Sequence, residues 1–393
     1  AVGSQQWRTH RRVRCLLCVG SLLRPNSPTR ASVYRQNSMA TKRACDSSAI
    51  VAVAGEEKRP RAAESLALVA GGSGASGAVV ATGPARTSDL LAPIMLLTGH
   101  SGAVLSSKFS PDGRHVLTGS QDRLLLLWDV YGECANTMNY KGHSNAVLEV
   151  HWSSDSEHVF SASADKTAAL WDAQTGGRVR QFKGHTAVVN SFCPARDAMV
   201  CASGSDDKTV RVWDARVRTC QDVVSHPWPV TAVTVSHDGM TLFTGSLDGK
   251  VRSYDLRRPG KVELELTGHQ DIVTGLRLSP DGNSLLSNAM DNFVRCWDVK
   301  PYASEDRCTK VFMGAQHNYE KGLIRCSWSR NGAQVAAGSA DSFVYVWDAS
   351  TKRIVYKLPG HAGSVNEVDF HPSQPIICSC GNDKQVFLGE LRK

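Results

Sequence analysis

The sequence contains no apolar run of the ~18 residues that a helix needs to cross a lipid bilayer. It also has no pair of Cys-x-x-Cys motifs at zinc-site spacing, because Cys15 and Cys18 form a single motif without partners. Most of the 12 cysteines stand alone within β-rich runs, which favours a reducing compartment. These features argue against a membrane span, and we expect neither a metal nor any other cofactor.

The main part of the chain also has little net charge. The total is +8, but residues 1–38 carry seven Arg and no acidic residue. Residues 93–393 carry 32 basic and 32 acidic residues, so their charges cancel. Non-specific nucleic-acid binding needs a basic stripe. We therefore expect any contact with RNA to be indirect at most.

Residues 1–92 have the composition of a disordered tail, rich in Ala, Gly and Ser, with too little apolar surface to offset the entropy of ordering. The first Met is Met39, and residues 1–38 are interpreted as sequence upstream of the native protein, with a signal or transit peptide as the alternative. The basic cluster Lys58–Arg61 is either a nuclear-import signal or a solvated charge cluster. Order is expected from Pro93 onwards.

A repeat of 41 to 48 residues organises the rest of the chain. Each of seven units begins with a His, mostly preceded by Gly, and an Asp follows 22 residues later, or 24 in the sixth unit. Six residues after that Asp comes an aromatic residue and a second Asp in the first six units. This order is typical of the WD repeat, in which one unit supplies four strands. The sequence therefore predicts an all-β fold, a seven-bladed WD-repeat β-propeller over residues 93–393.

Chain order predicts how the ring closes. The last unit ends after its third strand, while Ile94–Thr98 precede the first Gly-His and belong to no unit. We expect this segment to become the outer strand of the seventh blade, covering an otherwise open sheet edge.

The recurring polar residues are expected to stabilise each blade rather than to catalyse a reaction. In WD repeats the Trp bonds to a Ser or Thr hydroxyl, the hydroxyl to the His, and the His to the Asp, at about 1.5–3 kcal/mol per charge-assisted bond. Repeated Ser-His-Asp sets argue against a catalytic triad, since an enzyme needs one site. Candidate hydroxyls lie two or four residues before the Asp, as in Ser120, Ser163, Ser205, Ser246 and Ser339. The predicted network comprises His100, Asp122, Trp128, His143, Asp165, Trp171, His185, Asp207, Trp213, His269, Asp291, Trp297, Asp341 and Trp347.

Four runs go beyond a generic WD repeat: Ala92–His100 (APIMLLTGH), Leu285–Asp298 (LLSNAMDNFVRCWD), the long connection Val299–Trp328 and Arg353–Val368. Together they resemble the WD-repeat proteins of the U5 small nuclear ribonucleoprotein, over residues 92–393. The resemblance implies a nuclear, non-catalytic scaffold of the spliceosome in pre-mRNA splicing. It implies binding to the large spliceosomal scaffold protein and to other proteins of that particle, without cofactor, membrane or small-molecule substrate.

The loops that carry the His and Asp are expected on one face of the ring, which many propellers use for binding. Arg, Trp and Tyr are enriched at interface hot spots. However, Lys or Arg after the turn Asp is common in WD repeats, and Trp228, between two prolines, could instead fill the gap left by a weak repeat. The candidates for partner contact are Arg123, Lys166, Lys208, Trp228, Tyr319 and Lys384.

The alternative function is a substrate receptor of a cullin-RING ubiquitin ligase. Such receptors often carry Trp-Asp-x-Arg at the end of a blade, as in Trp213–Arg216, and Tyr254–Arg257 is similar. The structural alternative is that Arg216 caps the end of its strand on the rim.

Overall fold

A computed structural model describes residues 86–196, 199–217, 219–258, 260–303, 306–318 and 322–391. The regular secondary structure in these ranges is entirely β-strand. Within them, no helix has the length and apolar character needed to span a bilayer. The predicted tail lies outside the described ranges up to residue 85, together with the basic cluster Lys58–Arg61, so both stay predictions.

The described strands form seven antiparallel sheets of four strands each, which confirms the seven-bladed propeller. Blades 1 to 6 each use four consecutive strands from β2 to β25, and blade 7 uses β26, β27, β28 and β1. The strands are β1 Ile94–Thr98, β2 Val104–Phe109, β3 His115–Ser120, β4 Leu125–Asp129, β5 Asn136–Tyr140, β6 Val147–Trp152, β7 His158–Ser163, β8 Thr167–Asp172, β9 Arg178–Lys183, β10 Val189–Pro194, β11 Val200–Ser205, β12 Thr209–Asp214, β13 Cys220–Ser225, β14 Val230–Val235, β15 Thr241–Ser246, β16 Val251–Asp255, β17 Val262–Leu266, β18 Val273–Leu278, β19 Ser284–Ala289, β20 Phe293–Asp298, β21 Cys308–Met313, β22 Cys326–Trp328, β23 Gln334–Ala337, β24 Val344–Asp348, β25 Ile354–Leu358, β26 Val365–Phe370, β27 Ile376–Gly381 and β28 Gln385–Glu390.

The apolar core lies between neighbouring blades. The innermost strand of a blade, such as β6, is buried along its whole length, whereas the outermost strand, such as β5, is mostly exposed. One buried cluster joins Leu117 of blade 1 to Val150 and Trp171 of blade 2. Because both faces of a blade are covered by its neighbours, each sheet needs two adjacent sheets to bury its apolar side chains.

The pairing of β1 with β28 closes the ring as predicted. Its register sets Leu97 opposite Val386 and Thr98 opposite Gln385. Leu97 is buried in a cluster that includes Val104 of blade 1 and Leu388 of blade 7. The first and last strands of the propeller therefore lie side by side in one sheet.

The described contacts begin at Arg86, seven residues before Pro93. The Arg86 guanidinium Nε donates to Glu390 Oε2 at 2.8 Å, and Thr87 Oγ1 donates to Glu390 Oε1 at 2.5 Å. These bonds, led by the one from the Thr87 hydroxyl, lower the pKa of Glu390 to about 2. The residues before β1 thus add an ion pair to the contact that closes the ring. The low apolar content of this segment in the sequence did not indicate that contact.

Deletion of residues 93–98 is expected to lower the melting temperature sharply, by on the order of 10 °C or more, because it uncovers β28 and part of the core around Leu97. Differential scanning calorimetry measures the change. Removal of residues 1–38 is the control and should leave the melting temperature unchanged. An unaltered melting temperature for the 93–98 deletion would contradict closure through β1.

Candidate protein-binding face

Each blade places two connections on the same side of the ring, which we call the His/Asp face. One is the loop that leads into the first strand of the blade, and the other is the turn between its second and third strands. Beneath them, blade 2 contains a complete chain of hydrogen bonds. Trp171 Nε1 donates to Ser161 Oγ at 2.8 Å, Ser161 Oγ lies 2.7 Å from His143 Nε2, and His143 Nδ1 lies 2.8 Å from Asp165 Oδ2.

The chain satisfies every polar atom when His143 Nδ1 carries the proton toward the carboxylate and Nε2 accepts from the hydroxyl. Blades 1, 3 and 5 contain the same arrangement, with hydroxyls that belong to Thr118, Ser203 and Ser287. A Gly before the His makes room for the indole. In blade 1, a Cβ on Gly99 would lie 2.9 Å from Trp128 Cη2.

The bridging hydroxyl is the one four residues before the Asp, so the alternative two residues before it is wrong. In blade 2 the nearer hydroxyl, Ser163 Oγ, donates to the Ala146 carbonyl at 2.9 Å and accepts from the Asp165 amide at 3.1 Å. Ser163 therefore ties the two connections of the His/Asp face together and does not touch the His. The corresponding serines, Ser120 and Ser205, have the same loop-binding role.

Blade 6 departs from the predicted network, and the inclusion of Asp341 and Trp347 was wrong. Trp347 Nε1 donates to the Met313 carbonyl at 2.9 Å, and Asp341 Oδ2 accepts from Tyr345 Oη at 2.6 Å. The position four residues before Asp341 is Ala337, which has no hydroxyl to bridge. Ser339 instead accepts from the Gln316 amide at 2.9 Å.

Blade 4 also differs, because an arginine replaces the histidine as partner of the turn Asp. Arg252 Nη2 lies 2.7 Å from Asp248 Oδ2, whereas His226 Nδ1 lies 2.8 Å from the Trp228 carbonyl. Ser246 bonds to Asp248 rather than to His226. Blade 4 is thus held by an ion pair in place of the hydrogen-bond chain.

Blade 7 has the chain without its indole. His361 lies 3.0 Å from Ser379 Oγ and 2.9 Å from Asp383 Oδ2. Phe387 packs edge-on against the His361 ring, with centroids 4.7 Å apart, while Gly389 stands at the Trp position of the repeat. His361 and Asp383 were not among the predicted network residues, although their 22-residue spacing was the available signal.

The turn carboxylates of Asp122 and Asp165 stay ionised at low pH and hold both connections in place. Asp122 accepts from the amides of Ser101 and Leu124, each at 3.0 Å, as well as from His100. Burial opposes ionisation of Asp122, but these bonds, led by the one with His100, lower its pKa to about 2. The pKa of Asp165 is lowered to about 2 by the same balance. A rigid set of loops on the His/Asp face is the result.

Four of the predicted contact residues form an arc on this face, which we call the basic arc: Arg123, Lys166, Lys208 and Lys384. They directly follow the turn Asp in blades 1, 2, 3 and 7, which are consecutive in the closed ring. All four are exposed, and no described residue pairs with their charges within 4.0 Å. Their φ angles are 73°, 72°, 64° and 67°, in the left-handed region.

Trp228 lies at one end of the basic arc. Its side chain is 48% exposed, and the Lys208 ammonium lies 6.0 Å from the ring centroid. This contact falls within the range of a cation–π interaction. The sixth predicted contact residue, Tyr319, lies outside the described residues.

The rim arginines have local partners. Arg216 Nη2 and Nε donate to the two carboxylate oxygens of Asp214 at 2.9 and 3.1 Å, and Arg257 pairs with Asp255 in the same way. Each arginine therefore caps the end of its own strand.

One described group, Asp155, Glu157 and His158, brings potential metal-ligand atoms within 4.8 Å of one another. Asp155 Oδ1 already accepts from the Ser153 hydroxyl and the Glu157 amide. These bonds account for the group as an exposed turn, and we assign no metal to it.

The chain is similar in sequence to a known family and to several known proteins. The family model described as WD domain, G-beta repeat matches residues 91–129, 132–172, 176–214, 218–255, 260–298, 306–348 and 352–388. The U5 small nuclear ribonucleoprotein 40 kDa protein of Mus musculus is 50% identical over 342 residues, covering 85% of this chain and 95% of the relative. The human protein of that name is 50% identical over 80% of this chain and 88% of its own length. The pre-mRNA-splicing factor cwf17 of Schizosaccharomyces pombe is 45% identical over 78% of this chain and 90% of its own length.

Substitution of the bridging hydroxyl tests the network. Ser161→Ala leaves both His143 Nε2 and Trp171 Nε1 without a partner, and should lower the free energy of unfolding by about 2–4 kcal/mol. Ser379→Ala leaves only His361 without one and should lower it by about 1–2 kcal/mol. Urea denaturation followed by tryptophan fluorescence measures both. Equal losses, or none, would show that the indole does not depend on the hydroxyl.

Acid should weaken the fold through the turn carboxylates Asp122 and Asp165. Their pKa of about 2 in the folded chain lies below the ordinary value of about 3.9 for Asp. Their stabilising contribution is therefore fully present above pH ~4 and is lost as the pH falls toward 2. Urea midpoints between pH 5 and pH 2 should fall less steeply for Asp165→Asn than for the unaltered chain. Parallel pH profiles would contradict this role of Asp165.

Proposed function

The chain belongs to the WD-repeat family that includes the U5 small nuclear ribonucleoprotein 40 kDa proteins, and from this membership we propose that it is a scaffold subunit of the spliceosome. In this role it binds the large spliceosomal scaffold protein through the His/Asp face. It acts in the nucleus, where pre-mRNA is spliced. The basic arc, with Trp228 at its end, is the observation that supports the His/Asp face as the contact surface.

The backbone of the basic arc supports a binding role for its charges. A left-handed conformation costs a side chain with a Cβ roughly 1–2 kcal/mol, and Gly or Asn accepts it more readily. Blades 4 and 5 carry Gly249 and Asn292 at the equivalent positions. Four consecutive blades instead carry Lys or Arg with no carboxylate partner, so their charge is available to an acidic surface on another protein.

Trp228 supplies the apolar part of such a contact. An exposed Trp beside a cationic group matches the composition of interface hot spots, which are enriched in Trp, Tyr and Arg. A single arc of four cations with one aromatic side chain is too small for tight RNA binding, which uses basic residues interleaved with stacking platforms. These features favour a protein partner, and they leave RNA contact indirect.

Burial of the Ser-His-Asp sets supports a non-catalytic role. The His143 side chain has 0% exposure, and Ser161 is also fully buried. The Ser161 hydroxyl already accepts from the Trp171 indole, so a substrate carbonyl has no route to it. We therefore propose that the chain is not an enzyme.

The cullin-RING ligase alternative has less support. Its motif arginines, Arg216 and Arg257, are each engaged by the Asp two residues earlier. That pairing explains both without a ligase adaptor.

Affinity purification of the full chain from nuclear extract, with quantitative mass spectrometry, tests the proposal. The unaltered chain should recover the large spliceosomal scaffold protein. The variant Lys166→Glu/Lys208→Glu, and separately Trp228→Ala, should reduce that recovery about tenfold through charge repulsion or loss of a hot spot. The matched control is Lys352→Glu, which alters an exposed lysine of φ 62° on the opposite face.

Three results would count against this account. Undiminished recovery by the variants would exclude the His/Asp face as the contact. Absence of splicing proteins from the unaltered sample would exclude the spliceosomal role. Recovery of a ligase adaptor that is lost on Arg216→Ala would favour the alternative function.

A further inference from the structure

The central channel of the propeller is lined by one side chain from each innermost strand at the level nearest the opposite face. These residues lie fourteen positions before each turn Asp: Lys108, His151, Cys193, Thr234, Arg277, Ser327 and Asp369. Their charges are largely matched between blades. Lys108 Nζ lies 2.5 Å from Glu367 Oε1, and Ser327 Oγ donates to Asp369 Oδ1 at 2.9 Å. Within strand β6, His151 Nε2 lies 3.2 Å from Glu149 Oε1.

Arg277 is the exception in this ring. No carboxylate of a described residue lies within 4.0 Å of its guanidinium, and it makes no hydrogen bond to a described residue. Burial opposes its charge, but the more distant carboxylates, led by Asp369, raise its pKa. Arg277 thus presents a permanent positive charge with unused donors.

Arg277 opens into a pocket of about 490 Å³ at the mouth of the channel, on the face opposite the His/Asp face. Arg196 and Arg330 lie on turns between first and second strands and also line this pocket, as do His151 and His237. Among the described residues, the lining includes no Asp or Glu. This mouth is therefore cationic although residues 93–393 are neutral as a whole.

The Trp328 indole lies in the same wall. Trp328 Nε1 is buried and has no hydrogen-bond partner among the described residues. The equivalent indole in blade 2, Trp152 Nε1, donates to the Lys108 carbonyl at 3.2 Å. Because this N–H has almost no accessible surface, Trp328 contributes the apolar part of its indole to the pocket wall and not a donor.

The surroundings restrict the kind of anion. Prolines and other apolar residues form much of the wall, including Pro111, Pro194 and Leu278. Just outside, four turns carry exposed carboxylates with lowered pKa values, at Asp112, Asp155, Asp238 and Asp281. A polyphosphate backbone that lay across the mouth would be repelled by these four carboxylates. A single carboxylate next to an apolar side chain would enter the pocket between them and avoid most of that repulsion.

We propose that the channel mouth binds an acidic segment of a partner protein, with one Asp or Glu carboxylate accepting from Arg277. Arg196 and Arg330 add attraction at the rim, and the prolines contact the apolar neighbours of that acidic residue. This surface lies opposite the basic arc, so it is independent of the function proposed above. The propeller thereby holds two protein segments at once, one on each face.

Fluorescence polarisation with the full chain tests this site. The probe is a fluorescein-labelled peptide of three Glu-Leu repeats with both ends blocked, compared with the same peptide carrying Gln in place of Glu. The Glu peptide should bind at least about tenfold more tightly, and Arg277→Met should remove most of that difference. Arg330→Gln, at the exposed rim, should weaken binding less. Lys183→Gln, at the end of the exposed outer strand β9, is the matched control and should leave the affinity unchanged.

The outcomes that overturn the proposal are distinct from those of the purification experiment. Equal binding of the two peptides, or binding of neither, contradicts a carboxylate site. Unchanged affinity in both Arg277→Met and Arg330→Gln, with unaltered melting temperatures, places binding elsewhere. Tighter binding of hexauridylate than of the Glu peptide, lost on Arg277→Met, would identify the mouth as a phosphate site instead.

Discussion

The pairing of β1 with β28 is the constraint on which the rest of the structure depends. Each blade buries its apolar side chains against two neighbours, so a ring with one gap would leave two blades half covered. The cluster around Leu97 contains residues of blade 7 and blade 1 together. The bond network of Glu390 with Arg86 and Thr87 continues that contact beyond the strand. Closure thus converts seven similar sheets into one body with two fixed faces.

The two faces differ in how they use polar side chains. On the His/Asp face, buried carboxylates such as Asp165 bind loop amides and a His. They are therefore not available to a partner. On four blades the residue after the Asp is an exposed Lys or Arg. On the opposite face, ion pairs between blades neutralise most of the channel but leave Arg277 unmatched. The charges available to a partner are therefore those of side chains that form no ion pair within the fold.

Much of this architecture follows from spacing alone. Blade number, the phase of each strand and closure by Ile94–Thr98 all come from counting residues between His, Asp and Trp. Local chemistry decides the exceptions. In blade 6 the absence of a hydroxyl at Ala337 and the longer gap after His317 redirect Trp347 and Asp341, and Ala337 was the signal in the sequence. In blade 4, Arg252 competes for the turn Asp, which the repeat pattern does not reveal.

The channel mouth was beyond sequence reasoning for a physical reason. The innermost strands are buried on both faces, so their pattern does not show which side chains point into the channel. Arg277, Arg330 and Trp328 follow no motif, and only the closed ring brings them to one pocket. The ordered contacts of Arg86 escaped notice for a related reason, because a long-range ion pair leaves no local periodicity.

Amide hydrogen exchange of the unaltered chain tests the closed ring most directly. If β1 is an integral strand of blade 7, the amides of residues 94–98 that bond to β28 should be protected to within about tenfold of those in β27 and should be lost in the same cooperative step. Rapid exchange of residues 94–98, while β27 stays protected, would show that the ring is open and would contradict the account.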